Sequence, residues 1–151
     1  MVAFKVAELL TMSLKVGIAG YGLAGRYFHA PLLKGCGFEV ASILTNNEVR
    51  KGHAIEDFPA TKIVHSIEDL VNQDLDLVVV ASANLVHADQ AIAALQAGIP
   101  VVVDKPMGRT FSETKRIIDV STATGVPVST FFNRRWDSDA LTIKKVLASG
   151  V

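Results

Sequence analysis

Short apolar runs bounded by glycine, proline or asparagine alternate along this chain with longer stretches in which apolar positions recur at helical spacing. The first run, KVGIA over 15–19, leads into the turn GYGLAG. An amphipathic stretch over 23–34 follows, closed by Gly35 and Gly37. Pro31 falls inside it and predicts a kink or a shortened helix, because proline removes a donor and crowds the preceding turn. FEVASIL over 38–44 reads as the second strand. A helix over 48–55 ends before Pro59, and a short third strand covers 62–65. Ser66, with Glu68 and Asp69 behind it, has the pattern of a capped helix start, the helix running to about residue 72. LVVVA over 77–81 is apolar at every position, as a strand buried on both faces of a parallel sheet requires. An alanine-rich helix over 86–97 stops at Gly98, and 100–103 is another apolar strand. Thr110 and Glu113 fit a capping box that opens a helix to about residue 124, closed by Gly125. A sixth strand covers 126–131. Asp137 or Ser138 caps a last helix over 140–149, with Gly150 at its end.

Strands joined by helical crossovers make a parallel sheet covered on both faces. The fold class predicted is α/β, a three-layer, Rossmann-type doubly wound parallel sheet. Such a sheet gathers the C-terminal ends of its strands on one edge, where ligands bind. Those ends carry residues 20–25, 45–47, 82–84, 104–106 and 133–135, and most polar oddities of the sequence lie among them. There is no internal repeat, low-complexity tract or linker.

Composition narrows the function classes. Fifteen basic and fifteen acidic side chains cancel, so no charge excess draws the chain to nucleic acid or an anionic membrane. Cys36 is the only cysteine, which excludes an intrachain disulfide and a cysteine-based zinc site. His29, His53, His65 and His87 lack paired ligand spacing, and no metal is expected. No G-x-S-x-G elbow is present. No apolar run reaches the length of a membrane span. Lys5 and Glu8 break the short apolar start, which does not read as a signal peptide. Residues 1–13 are expected to form an N-terminal extension, loose or helical, with Met12 an alternative start. A cytoplasmic location fits.

The glycine turn carries the first candidate chemistry. Gly20, Gly22 and Gly25 form G-x-G-x-x-G between a strand and a helix. Gly20 lets the chain leave the strand tightly, Gly22 lets a pyrophosphate approach the backbone, and Gly25 lets helix and strand pack closely. The helix start offers free N–H groups to phosphate. Some twenty residues on, where an acid would bond the adenosine ribose, stands Thr45-Asn46-Asn47. No carboxylate is there to repel a 2′-phosphate, and Arg50 and Lys51 lie just downstream. This leans towards NADP over NAD. Both cations have the alternative of a solvated helix face.

Taken together, these stretches resemble the N-terminal domain of the Gfo/Idh/MocA oxidoreductase family over 14–150. The resemblance rests on KVGIAGYGLAGRYFHAPLL, on Ser82-Ala83-Asn84-Leu85-Val86-His87, on Val103-Asp104-Lys105-Pro106, on Asn133-Arg134-Arg135-Trp136-Asp137, and on the final helix. It implies an NAD(P)-binding domain over 14–151 of an enzyme that moves hydride to or from a sugar, inositol or related polyol or carbonyl. It implies Lys105 as the catalytic residue, polarising the reacting oxygen. Pro106 follows it, in a family where that bond is often cis. The implied cofactor-binding set is Gly20, Tyr21, Gly22, Leu23, Ala24, Gly25, Thr45, Asn46, Ser82, Asn84, His87, Asp104, Lys105, Pro106, Asn133 and Arg134.

Each residue also has a plainer role. His87 would cap its helix, His29 pack within one, and Arg134 and Arg135 pair with Asp137 and Asp139. Thr45-Asn46, Ala83 and Asp104 depart from the family's usual residues. The family's second domain, which supplies substrate contacts, is expected to be absent, so a small-molecule substrate would need that domain. A homo-oligomer fits the family. The competing readings are a non-catalytic dinucleotide-binding module, a regulator or truncated relic, and an α/β domain for a flavin or methyl donor, which the Lys-Pro motif opposes.

Overall fold

The sheet is built outward from β1 (Lys15–Ala19), whose last four residues are buried. In the computed structural model, which describes residues 13–150, β1 pairs in parallel with β2 (Glu39–Leu44) on one side and β4 (Leu77–Val80) on the other. β3 (Lys62–Val64) extends the β2 side, and β5 (Val101–Val103) and β6 (Val128–Thr130) extend the β4 side. The order β3-β2-β1-β4-β5-β6 is all parallel and reverses direction between β1 and β4. That reversal opens a crevice at the C-terminal edge. The extension expected over 1–13 falls, apart from Ser13, outside the described residues.

Helices cover both faces, as the doubly wound reading requires. α1 (Ala30–Gly35) and α2 (Glu48–Asp57) lie on one face. Val16, Ile18, Tyr21, Leu33, Ile43 and Val79 fill that layer. α3 (Ile67–Val71), α4 (His87–Gln96) and α5 (Phe111–Thr124) lie on the other. There Val78, Val80, Leu70, Leu95, Val101 and Ile117 form the core. β4 sends Val78 and Val80 to one layer and Val79 to the other, which is why it has no polar face. Each such side chain is worth about 1.5–3 kcal/mol of burial. Ala88, Ala91 and Ala94 let α4 lie close to the sheet. α6 (Ser138–Ala148) closes the described chain and buries no residue.

Three local expectations change. Pro31 does not shorten its helix. The helical stretch instead passes through one π turn, Gly25–His29, in which the Ala30 N–H donates to the Gly25 carbonyl. Pro31 then stands in the first turn of α1, where its missing donor costs little. The capping box over 110–113 is only half made. Thr110 Oγ1 accepts from the Glu113 N–H at 3.1 Å, but the Glu113 carboxylate takes the Arg109 N–H and guanidinium instead. Asp137 precedes α6 without capping it by its side chain, because Arg134 holds its carboxylate.

Candidate functional site

A cleft of about 1050 Å³ opens where β1 and β4 diverge, floored by the glycine turn. The three glycines of that turn have unequal reasons to be glycine. Gly20 has φ +96° and packs on the loop after β4, where a Cβ would come within 2.6 Å of Ser82 Cα. At Gly25 a Cβ would stand 2.1 Å from the Gly20 carbonyl oxygen. Protein packing therefore dictates both. Gly22 differs. The nearest atom to its Cβ position is the Arg50 guanidinium carbon at 3.6 Å, an ordinary contact. Nothing in the protein requires glycine there, yet the position faces the cleft. A ligand that must lie against the backbone does require it. Leu23 and Ala24, at the start of the helical stretch, line the same wall.

Beyond β2 the polar side chains are mostly engaged. Thr45 is buried, and its Oγ1 accepts from the Asn47 N–H at 3.3 Å. Asn46 Nδ2 donates to the His65 carbonyl at 2.9 Å, and its Oδ1 lies 3.1 Å from His65 Nδ1. Asn47 caps α2, accepting from the Arg50 N–H at 3.0 Å. That cap starts the helix so that Arg50 lines the cleft beside Gly22, while Lys51 pairs with Glu48 at 3.5 Å. The two cations that the sequence left together are thus separated.

The other half of the cleft comes from the loops after β4, β5 and β6. Ser82 Oγ donates to Gln90 Oε1 at 2.6 Å, and Asn84 lines the opening from a single 3-10 turn. The Asp104 N–H donates to the Val80 carbonyl at 2.8 Å, the last rung before the chain leaves the sheet. Exposed Lys105 follows, and the Lys105–Pro106 bond is cis. Lys105, Asn133 and Arg134 border both the main cleft and a second hollow of about 510 Å³ with Phe132 and Arg135. Behind Asp104 lies His29, 4% exposed, its ring against Phe131 with centroids 4.4 Å apart. His29 Nε2 is 3.7 Å from Asp104 Oδ1 and has no hydrogen-bond partner. Burial lowers the His29 pKa, and the Asp104 carboxylate partly opposes this.

Of the expected cofactor set, twelve residues line the cleft: Gly20, Gly22, Leu23, Ala24, Thr45, Asn46, Ser82, Asn84, Asp104, Lys105, Asn133 and Arg134. Four do not. Tyr21 points away from it, buried, its hydroxyl donating to Asp57 Oδ2 at 3.0 Å. Gly25 lies beneath the turn. Pro106 falls just past the wall. His87 is buried between two carbonyls and neither caps its helix with its side chain nor lines the cleft. Phe28, Leu44, Val86, Gln90, Phe131 and Asp137 line the cleft without having been in that expected set. Helical spacing contained part of that signal, since Phe28 stands four residues after Ala24 and Gln90 four after Val86. Among the described residues no three His, Cys, Asp or Glu side chains come together as a metal site. No described helix is long and apolar enough to cross a membrane.

A family model for "Oxidoreductase family, NAD-binding Rossmann fold" (GFO_IDH_MocA) matches residues 14–132. Scyllo-inositol 2-dehydrogenase (NADP(+)) IolW of Bacillus subtilis is 39% identical over 140 residues, 91% of this chain and 38% of that protein. The crystal structure of an NAD-binding protein from Listeria innocua superposes with TM-score 0.84 at 30% identity, over 93% of this chain and 41% of its own. Biliverdin reductase from Synechocystis, solved with biliverdin and NADP+, gives 0.82 at 26% identity, over 89% of this chain and 43% of its own. The chain spans about two fifths of the length of these proteins.

Proposed function

The chain belongs to the Gfo/Idh/MocA oxidoreductase family, and from that premise we propose that it is the cofactor-binding part of an NAD(P)-dependent oxidoreductase acting on a polyol or its carbonyl counterpart. One observation supports this most: Gly22 is glycine without any demand from the protein, on the cleft floor between two glycines that packing does demand. The residues present fit a dinucleotide. The Gly20–Gly25 turn and the helix start hold the pyrophosphate through backbone N–H groups. Thr45, Asn46 and Arg50 surround the adenosine ribose. Arg50 faces this end of the cleft, and the three residues that follow β2, Thr45-Asn46-Asn47, include no acid. A 2′-phosphate gains a cation there, so the preferred cofactor is NADP. The name of the Bacillus subtilis relative points the same way.

When bound, the nicotinamide supplies or accepts hydride. Lys105, on the border between the two hollows, donates a hydrogen bond from Nζ to the substrate oxygen and stabilises the negative charge that develops there. Asn84, Asn133 and Arg134 orient the groups on either side. An inositol or related polyol is the substrate class that the Bacillus subtilis relative's name suggests.

The test is a titration of the chain with NADPH and NADH, followed by nicotinamide fluorescence. Both bind, NADPH more tightly. Arg50→Ala removes that preference, weakening NADPH about tenfold and leaving NADH within about twofold. Gly22→Ala abolishes binding of both without a change in thermal stability. Failure of the wild-type chain to bind either dinucleotide, or full binding by Gly22→Ala, sinks the proposal.

A further inference from the structure

We infer that His87 is a positioning residue that clasps the 104–106 segment to the loop after β4 and so sets where Lys105 stands, an inference that rests on the reading of the cleft just given. His87 opens α4 and is 1% exposed. Its ring spans two backbone carbonyls. Nδ1 lies 2.9 Å from the Pro106 oxygen and Nε2 lies 3.1 Å from the Ser82 oxygen. Those carbonyls belong to the loops after neighbouring strands, and each loop supplies cleft residues: Ser82 and Asn84 on one, Asp104 and Lys105 on the other.

Carbonyl oxygens only accept, so each contact needs an N–H from the ring. The shorter of the two runs from Nδ1, which donates to Pro106. This bond has no substitute nearby. The Asp104 N–H is held by Val80, and the next tether is the Arg109 N–H on Glu113. Between them, among the described residues, the His87 bond is the one hydrogen bond that reaches the backbone of 105–108. Pro106 brings no N–H of its own. The carbonyl that His87 holds is one residue past Lys105, so the ring fixes the far side of the lysine as β5 fixes the near side.

Asn and Gln at position 87 separate this role from simple space filling. An asparagine amide reaches the place of Nδ1 and can donate to Pro106, whereas a glutamine amide reaches the place of Nε2 and serves Ser82. Three quantities are measured on the whole chain: NADPH affinity, melting temperature, and the amide ¹H–¹⁵N shift of Met107. Both variants lose stability through lost ring volume. His87→Asn keeps the Met107 shift and holds NADPH within about threefold of wild type, while His87→Gln moves the shift and weakens NADPH about tenfold. Equal effects of Asn and Gln, or affinity that simply follows melting temperature, overturn the clasp. A wild-type chain that binds no dinucleotide overturns the reading of the cleft, and the Met107 shift then decides the clasp by itself.

Discussion

In the middle of the sheet, β1 and β4 bury every residue but their first; at the end of the described chain, the eleven residues of α6 bury none. The same cleft is walled by residues just after β1 and β4 and by the segment just before α6. Its floor is the glycine turn, held by core on two faces. Its far wall is the segment carrying Asn133 and Arg134, held by short-range contacts such as Arg134 with Asp137. Trp136, Ile143 and Leu147 are exposed there. The half of the cleft built on the glycine turn is thus fixed by packing within the described residues. The half closed by Asn133 and Arg134 is the softer one.

Breaking the packed half has the largest expected effect. Gly25→Ala drives a Cβ into the Gly20 carbonyl and costs at least about 3 kcal/mol, read as a loss of the cooperative urea transition. Ile117, the one buried residue of α5, is next. Ile117→Ala costs about 3 kcal/mol in the same measurement, while Leu147→Ala in α6 costs less than about 0.5 kcal/mol. Equal costs at 117 and 147 would erase the distinction between the two regions. Hydrogen exchange sharpens it: amides of β4 open only with global unfolding, and those of α6 exchange through local opening at least about a hundredfold faster.

What the sequence showed and what it hid follow the same division of causes. The LVVVA strand, the glycine turn and the caps at Ser66 and Thr110 were legible because their signals are local. Uniform apolarity, glycine spacing and a hydroxyl three residues before its N–H each reflect contacts within a few residues. The separation of Arg50 from Lys51 depends on where the Asn47 cap phases α2 against the sheet. His87 meets a carbonyl nineteen residues away, so a histidine at a helix start read as a cap or a ligand contact. Glu113 chose Arg109 because a guanidinium offers a carboxylate more than one N–H does. The π turn before Pro31 left no signal beyond the proline itself.

The smallest effect expected is a pH dependence at the seam between the regions. His29 belongs to the packed half through the π turn, yet its ring lies on Phe131 of the soft wall. Burial lowers its pKa below the ordinary 6.5, against the pull of Asp104. The folded chain therefore holds the neutral ring, and the unfolded chain binds a proton first as pH falls. Stability is complete above the unfolded pKa and declines as pH drops from there towards the folded value. Asp57, lowered below 3.8 chiefly by its bond to Arg26, adds a loss in the same direction, but only in the acid range. Urea transitions between about pH 7.5 and pH 5.5 isolate the histidine. His29→Leu flattens the slope in that window and leaves the acid loss intact. A wild-type slope retained in His29→Leu would mean that the ring is hydrated in the folded chain, and hence that the wall carrying Phe131 stands open far more than α6 alone would require.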